Sequence, residues 1–247
     1  MSVDLTGIGE EISLLEEKKL LRAMFYGDPG AGKTTLACHL VRNRGALVSS
    51  DSAWVVLHKY PEVAKKIVRY PFGNFRQVRA IVKGHREGIE PYRTYDTLVW
   101  DTASTAIQIM LRGAVDANKF ATQQIHPSVE AWAHYRIIER ALVETIEELN
   151  RSDLNIIYLA HVKDPSEADK EKQRFYIRPN MPEACFRAIH QETQVLGWLH
   201  KENQSGKRQI QLAGTMKVAA KSQISTLPEA TYTTQEVITN LQEWMSS

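Results

Sequence analysis

Cysteine is scarce in this chain. Among 247 residues there are two, Cys38 and Cys185, with no C-x-x-C pair and no metal-ligand spacing around either. That excludes a disulfide-stapled scaffold and a zinc module, and a reducing cytosol suits such a sequence best. Long apolar runs are also missing. No window approaches the roughly 18 residues that a membrane-crossing helix needs, and the opening stretch MSVDLTGIGEEISLL lacks the basic and then apolar segments of an export signal. The expectation is a soluble, cytoplasmic protein with no membrane partner. Neither sign of charge dominates. A formal total of +2 is too mild to identify a nucleic-acid binder, so such a role has to rest on local patches. Internal repeats, low-complexity tracts and Gly/Ser- or Pro-rich linkers are absent, which excludes repeat arrays and strings of modules. With 43% hydrophobic and 24% charged residues, the chain is expected to bury one sizeable core as a single domain over residues 1–247. Its parts are an N-terminal segment (1–17), a core (18–230) and a C-terminal helix (231–247).

Short apolar runs recur between helical stretches. LLRAMFYG (20–27), GALVSSD (45–51), DTLVWDTAS (96–104) and NIIYLAHV (155–162) read as strands buried on both faces. A helix starts at Lys33 or Thr34, with Gly45 as its stop. Another follows the third strand as far as Gly113. A long amphipathic one opens at an expected cap, Ser128, and places Trp132, Tyr135, Ile138, Leu142, Ile146 and Leu149 on one face. This alternation predicts an α/β fold with a mainly parallel central sheet flanked by helices. VLGWLHKENQSGKRQIQLAG (195–214) adds a late antiparallel hairpin around Ser205-Gly206. Thr233 and Glu236 have capping-box spacing for the final helix. The basic stretch between the second and third strands has no legible pattern.

Gly27-Asp28-Pro29-Gly30-Ala31-Gly32-Lys33-Thr34 satisfies G-x-x-x-x-G-K-[ST] between a strand and a helix, the context such a phosphate loop requires. Its glycines let successive N–H groups turn inward on an anion. Lys33 is expected on the β- and γ-phosphates, Thr34 on Mg²⁺ and Thr35 on the more proximal phosphate. Asp101, at the end of the third strand, is expected in the Mg²⁺ shell, a role compatible with capping the next helix. Asp51, at the end of the second strand, either orients and deprotonates an attacking water or is a turn residue within SSDSA. His161, at the end of the fourth, either contacts the γ-phosphate or is a hydrogen-bonded core histidine.

In that order and on successive strands, GDPGAGKTT, TLVWDTAS with Thr102 and Ser104, and IIYLAHVKD resemble the RecA-like core ATPases. Most closely they resemble the phage-encoded nucleotide-binding proteins of single-strand annealing and recombination. The resemblance implies a RecA-like P-loop NTPase fold and an ATPase with ATP and Mg²⁺ held between subunits of a ring or filament. Host cytoplasm would be the compartment of a phage-encoded chain. It implies that Lys33, Asp51, Asp101 and His161 are catalytic, Asp51 standing where that group commonly has Glu and His161 where RecA has Gln. MKVAAKSQISTLP is similar to the late segment whose lysines reach a neighbouring subunit's nucleotide, so Lys217 and Lys221 are trans-acting candidates; the alternative is two solvated lysines flanking a strand.

The same comparison places the loop after His161 at a central channel. There Lys163, Lys170, Lys172, Arg174 and Arg178 surround Phe175 and Tyr176, the mixture of cations and rings that single-stranded DNA requires. Four interleaved acids make a solvated loop an equal alternative. Residues 69–93 hold Arg69, Arg76, Arg79, Lys83, Arg86 and Arg93 against Glu87 and Glu90. That stretch reads as a DNA contact, a source of an arginine for a neighbour's nucleotide, or a solvated basic face. The leading expectation is a DNA-recombination ATPase that binds single-stranded DNA. A P-loop small-molecule kinase and a nucleotide-switched, non-catalytic assembly protein are the alternatives.

Overall fold

The computed structural model describes residues 19–110, 127–163, 176–202 and 206–247, with side chains in the stretch after residue 126 described from residue 136 onward. Its strands are β1 (Arg22–Gly27), β2 (Gly45–Ser49), β3 (Ile67–Pro71), β4 (Thr97–Asp101), β5 (Asn155–His161), β6 (Val195–Lys201), β7 (Arg208–Gln211), β8 (Lys221–Ser222) and β9 (Thr231–Thr233). They form one sheet in the order β3-β2-β4-β5-β1-β6-β7-β9, with β8 also beside β6. The run from β3 to β6 is parallel; β7, β8 and β9 join antiparallel. This is the α/β fold of P-loop NTPases, with the expected late hairpin.

The four expected strands form β1, β2, β4 and β5, and their alternation explains why each reads as continuously apolar. Met24, Tyr26, Trp100 and Tyr158 point to one face, under helices α3 (Phe75–Arg86), α4 (103–110), α5 (Pro127–Asn150) and α6 (Glu183–Glu192). Phe25, Leu47, Val99 and Leu159 point to the other, under α1 (Lys33–His39) and the last helix, α7 (Thr234–Ser246), with the short helix α2 (Pro61–Ala64) at its margin.

Three expectations change. The first helix ends at His39, and Gly45 begins β2 instead of stopping a helix. Its lack of a side chain serves packing, because a Cβ there would stand 2.9 Å from both methyls of Val41. Ser128 lies one position inside α5 rather than capping it, and proline is well suited to a first turn. The stretch without a legible pattern contains β3 and α3. In α3, Phe75, Val78, Ile81 and Val82 form the buried stripe between cations, and the Asn74 side chain caps the helix by accepting from the Gln77 N–H. The final capping box is present as expected. Gly113 and Ser205 lie outside the described residues.

Arg22 looks out of place in an apolar strand, and it is 6% exposed. Its guanidinium donates to the carbonyls of Asn150, Ser152 and Leu154, so it ties the end of α5 and the turn into β5 to the base of β1. Arg22→Ala strands these acceptors and is expected to cost roughly 3 kcal/mol, read as a fall in the urea midpoint at unchanged slope. Arg22→Lys, lacking the planar fork, should recover only part of it.

Candidate functional site

The phosphate loop runs from the end of β1 to the start of α1. A Cβ on Gly27 would lie 2.1 Å from the Leu199 carbonyl oxygen, so no other residue fits where β1 passes β6. Gly32 has φ of 100° at the helix N-cap, a left-handed conformation that a side chain would strain. Lys33 is buried, and its Nζ donates to the carbonyls of Gly27 and Asp28 at 2.8 Å each. Burial lowers its pKa, while Asp101, Asp28 and Asp51 act to restore it.

Parallel register aligns the other groups. Gly27 pairs with His161, and Ser49 with Asp101, so the strand ends collect at one edge, where ligands of open α/β sheets bind. Thr34 Oγ1 donates to Asp101 Oδ2 at 2.6 Å. Asp101 is 1% exposed, and its Oδ1 is buried with no partner. Burial pushes its pKa up to about 6, against the lowering effect of the Thr34 hydrogen bond. Among the described residues no three His, Cys, Asp or Glu side chains form a metal cage. Mg²⁺ does not require one: it is held by one or two protein oxygens together with water and phosphate. The orphaned Oδ1 beside the Thr34 hydroxyl fits that pattern.

His161 is half-buried with Nδ1 unpartnered, and burial, then Lys33, lower its pKa, so the ring is neutral near pH 7. Its main-chain N–H donates to Ser104 Oγ at 3.1 Å, and its main-chain carbonyl accepts from Asn180 N at 2.8 Å. Asp51 adopts the turn role: its Oδ1 accepts from Ala53 N at 2.8 Å. It also lines, with Lys33, Thr34, Thr35, Asp101 and His161, a cavity of about 270 Å³. The two readings of Asp51 are therefore compatible. Sequence reasoning missed Arg208, which lines this cavity from β7. The available signal was its parity with Ile210, since alternate strand residues share a face.

The remaining candidates that the structure describes stand apart from the cavity. Lys221 donates from Nζ to the His190 carbonyl at the end of α6, and burial lowers its pKa. Lys217 is exposed beside Met216, which is 98% exposed. The Lys217 carbonyl accepts from Ile177 N at 2.6 Å. Lys170, Lys172, Arg174 and Phe175 lie outside the described residues. Tyr176 is 49% exposed, and Arg178 is paired with Glu183. Half of the six cations in the 69–93 stretch are ion-paired, Lys83 with Glu87 and Arg93 with Glu90 inside it and Arg79 with Glu148 of α5, while Arg69 covers the Trp54 ring at 4.4 Å. That favours the solvated-face reading.

Among the described residues no helix is long and apolar enough to cross a membrane. A family model described as AAA domain matches residues 19–224. Comparison with curated proteins gives no match.

Proposed function

The chain belongs to the AAA-domain family of P-loop nucleotide-binding ATPases, and on that premise we propose that it is a Mg²⁺-dependent ATP hydrolase that acts on single-stranded DNA in recombination or annealing. The observation that supports hydrolysis best is the buried Thr34–Asp101 pair with its orphaned oxygen, set beside Lys33. Lys33 leaves its two carbonyls for the β- and γ-phosphates, and Thr34 and Asp101 hold the metal. When bound, Mg²⁺ neutralises charge that builds on the transferred phosphoryl group. Asp51 orients the attacking water and accepts its proton. His161, neutral and at the end of β5, meets the γ-phosphate, and main-chain hydrogen bonds to Ser104 and Asn180 hold it in place.

The DNA and oligomer parts rest on the mixed basic and aromatic stretch after His161 and on the exposed Lys217, which suits contact with a neighbouring copy's nucleotide. Both are measured together: ATP turnover with and without single-stranded DNA, with particle mass in each nucleotide state. Turnover that rises several-fold with DNA, in a ring- or filament-sized particle, is the expected result. Turnover indifferent to DNA, with no DNA binding, would sink the recombination reading and leave the ATPase. Transfer of γ-phosphate to a metabolite instead of water would point to a kinase.

A further inference from the structure

Arg208 is the first residue of β7, opposite Lys201 on antiparallel β6. The start of an antiparallel strand lies at the carboxyl edge of its parallel neighbours, so residue 208 arrives at the edge from which the phosphate loop springs. Alternation puts it on the same face as Ile210, which packs in the layer that includes α1. The side chain reaches the loop itself. The three atoms nearest to a Cβ built on Gly32 all belong to Arg208: Nη1 at 3.3 Å, Cδ at 3.4 Å and Cζ at 3.6 Å.

No hydrogen bond or ion pair is made by this guanidinium among the described residues. It shares a cavity of about 270 Å³ with Lys33, and two cations in so small a space repel unless an anion lies between them. Two carboxylates line the same cavity, Asp51 and Asp101; one oxygen of each is taken, by Ala53 N and by the Thr34 hydroxyl, and among the described residues neither forms an ion pair with Arg208. An arginine on a phosphate loop, with no anion of its own, lacks the partner that its planar fork matches best, a phosphate oxygen.

The strand order says which phosphate. Asp101 and His161 end β4 and β5, on one side of β1, whereas β6 and β7 lie on the other. We propose that Arg208 binds the nucleotide of its own subunit through the phosphates common to ADP and ATP, not through the γ-phosphate. The assignment rests on the nucleotide-binding reading above and adds a contact from a strand two places out from β1.

Calorimetric titration of the full chain with ADP, ATP and inorganic pyrophosphate tests it. Arg208→Ala is expected to weaken all three by roughly ten- to a hundredfold, the range for a charged hydrogen bond, with an unchanged melt in the absence of ligand. Arg208→Lys restores part of the loss. Should Arg208→Ala melt early, Arg208→Gln, which retains the stem without the charge, provides the same reading. Loss for ATP alone moves the contact to the γ-phosphate and overturns the assignment. Loss for nucleotides but not pyrophosphate assigns Arg208 to the base and likewise overturns it. ADP affinity within twofold of wild type removes Arg208 from the site. A wild-type protein that binds none of the three overturns the nucleotide reading itself, and this assignment with it.

Discussion

Asp101→Asn is expected to abolish most ATP turnover while making the ligand-free protein more stable. The loss, about a thousandfold, corresponds to the several kcal/mol that a correctly held metal contributes to phosphoryl transfer. The gain follows from burial. Asp101 carries a pKa raised from 3.8 to about 6, so the folded state binds its proton more tightly than the unfolded chain does. Stability therefore falls as pH rises through this window, and above about pH 6 the full penalty of a buried charge is present. Asparagine keeps an acceptor for the Thr34 hydroxyl and never ionises, which should return on the order of 3 kcal/mol at pH 7. Thermal melts of both proteins from pH 4 to pH 8 check the sign: the stability gap should close toward pH 4 and be widest above pH 6. A constant gap would show that Asp101 is not the titrating group. Mg²⁺-dependent nucleotide affinity should weaken in the opposite sense, as acid protonates the carboxylate.

Asp51→Asn isolates catalysis from architecture. The carboxylate oxygen that accepts from Ala53 N is replaced by an amide oxygen able to accept the same bond, so the turn after β2 survives while the base is lost. Turnover should fall about 10²- to 10⁴-fold, the usual share of a general base, with ATP affinity within a factor of two. Unchanged turnover would make Asp51 a turn residue alone. The chain would then be better described as a nucleotide-switched assembly protein, or another group must activate the water.

The parts of this site legible from sequence are those in which chemistry and local structure coincide. The phosphate loop announces both a turn and an anion cradle, and Asp101 and His161 end apolar runs, so parallel pairing alone brings them to the same edge. Arg208 is different. Its neighbour Gly32 is far away in sequence, and only the antiparallel return of β7 brings them together. Arg22 was hidden by the apolar run around it, because a buried arginine is satisfied by carbonyls from α5 and the turn before β5, none of them local. In α3 the apolar stripe was obscured by Arg76, Arg79, Lys83 and Arg86, which occupy the outward positions. Gly45 misled in the opposite way: a glycine required by Val41 looks, in sequence, like a helix stop.

The main-chain pairing of Ile177 with Val218 makes one crossbar of two stretches that the sequence keeps far apart. Tyr26, next to Gly27, clamps that bar with its hydroxyl, which donates to the carbonyls of Ile177 at 3.1 Å and Ala219 at 2.6 Å. Arg178 is tied on the other side to Lys163, and Asn180 to His161. Tyr176 and Lys217 therefore sit side by side at one end of a crossbar held by the last side chain before the phosphate loop. The two exposed residues are thus joined, through hydrogen bonds alone, to the strand end from which the phosphate loop springs.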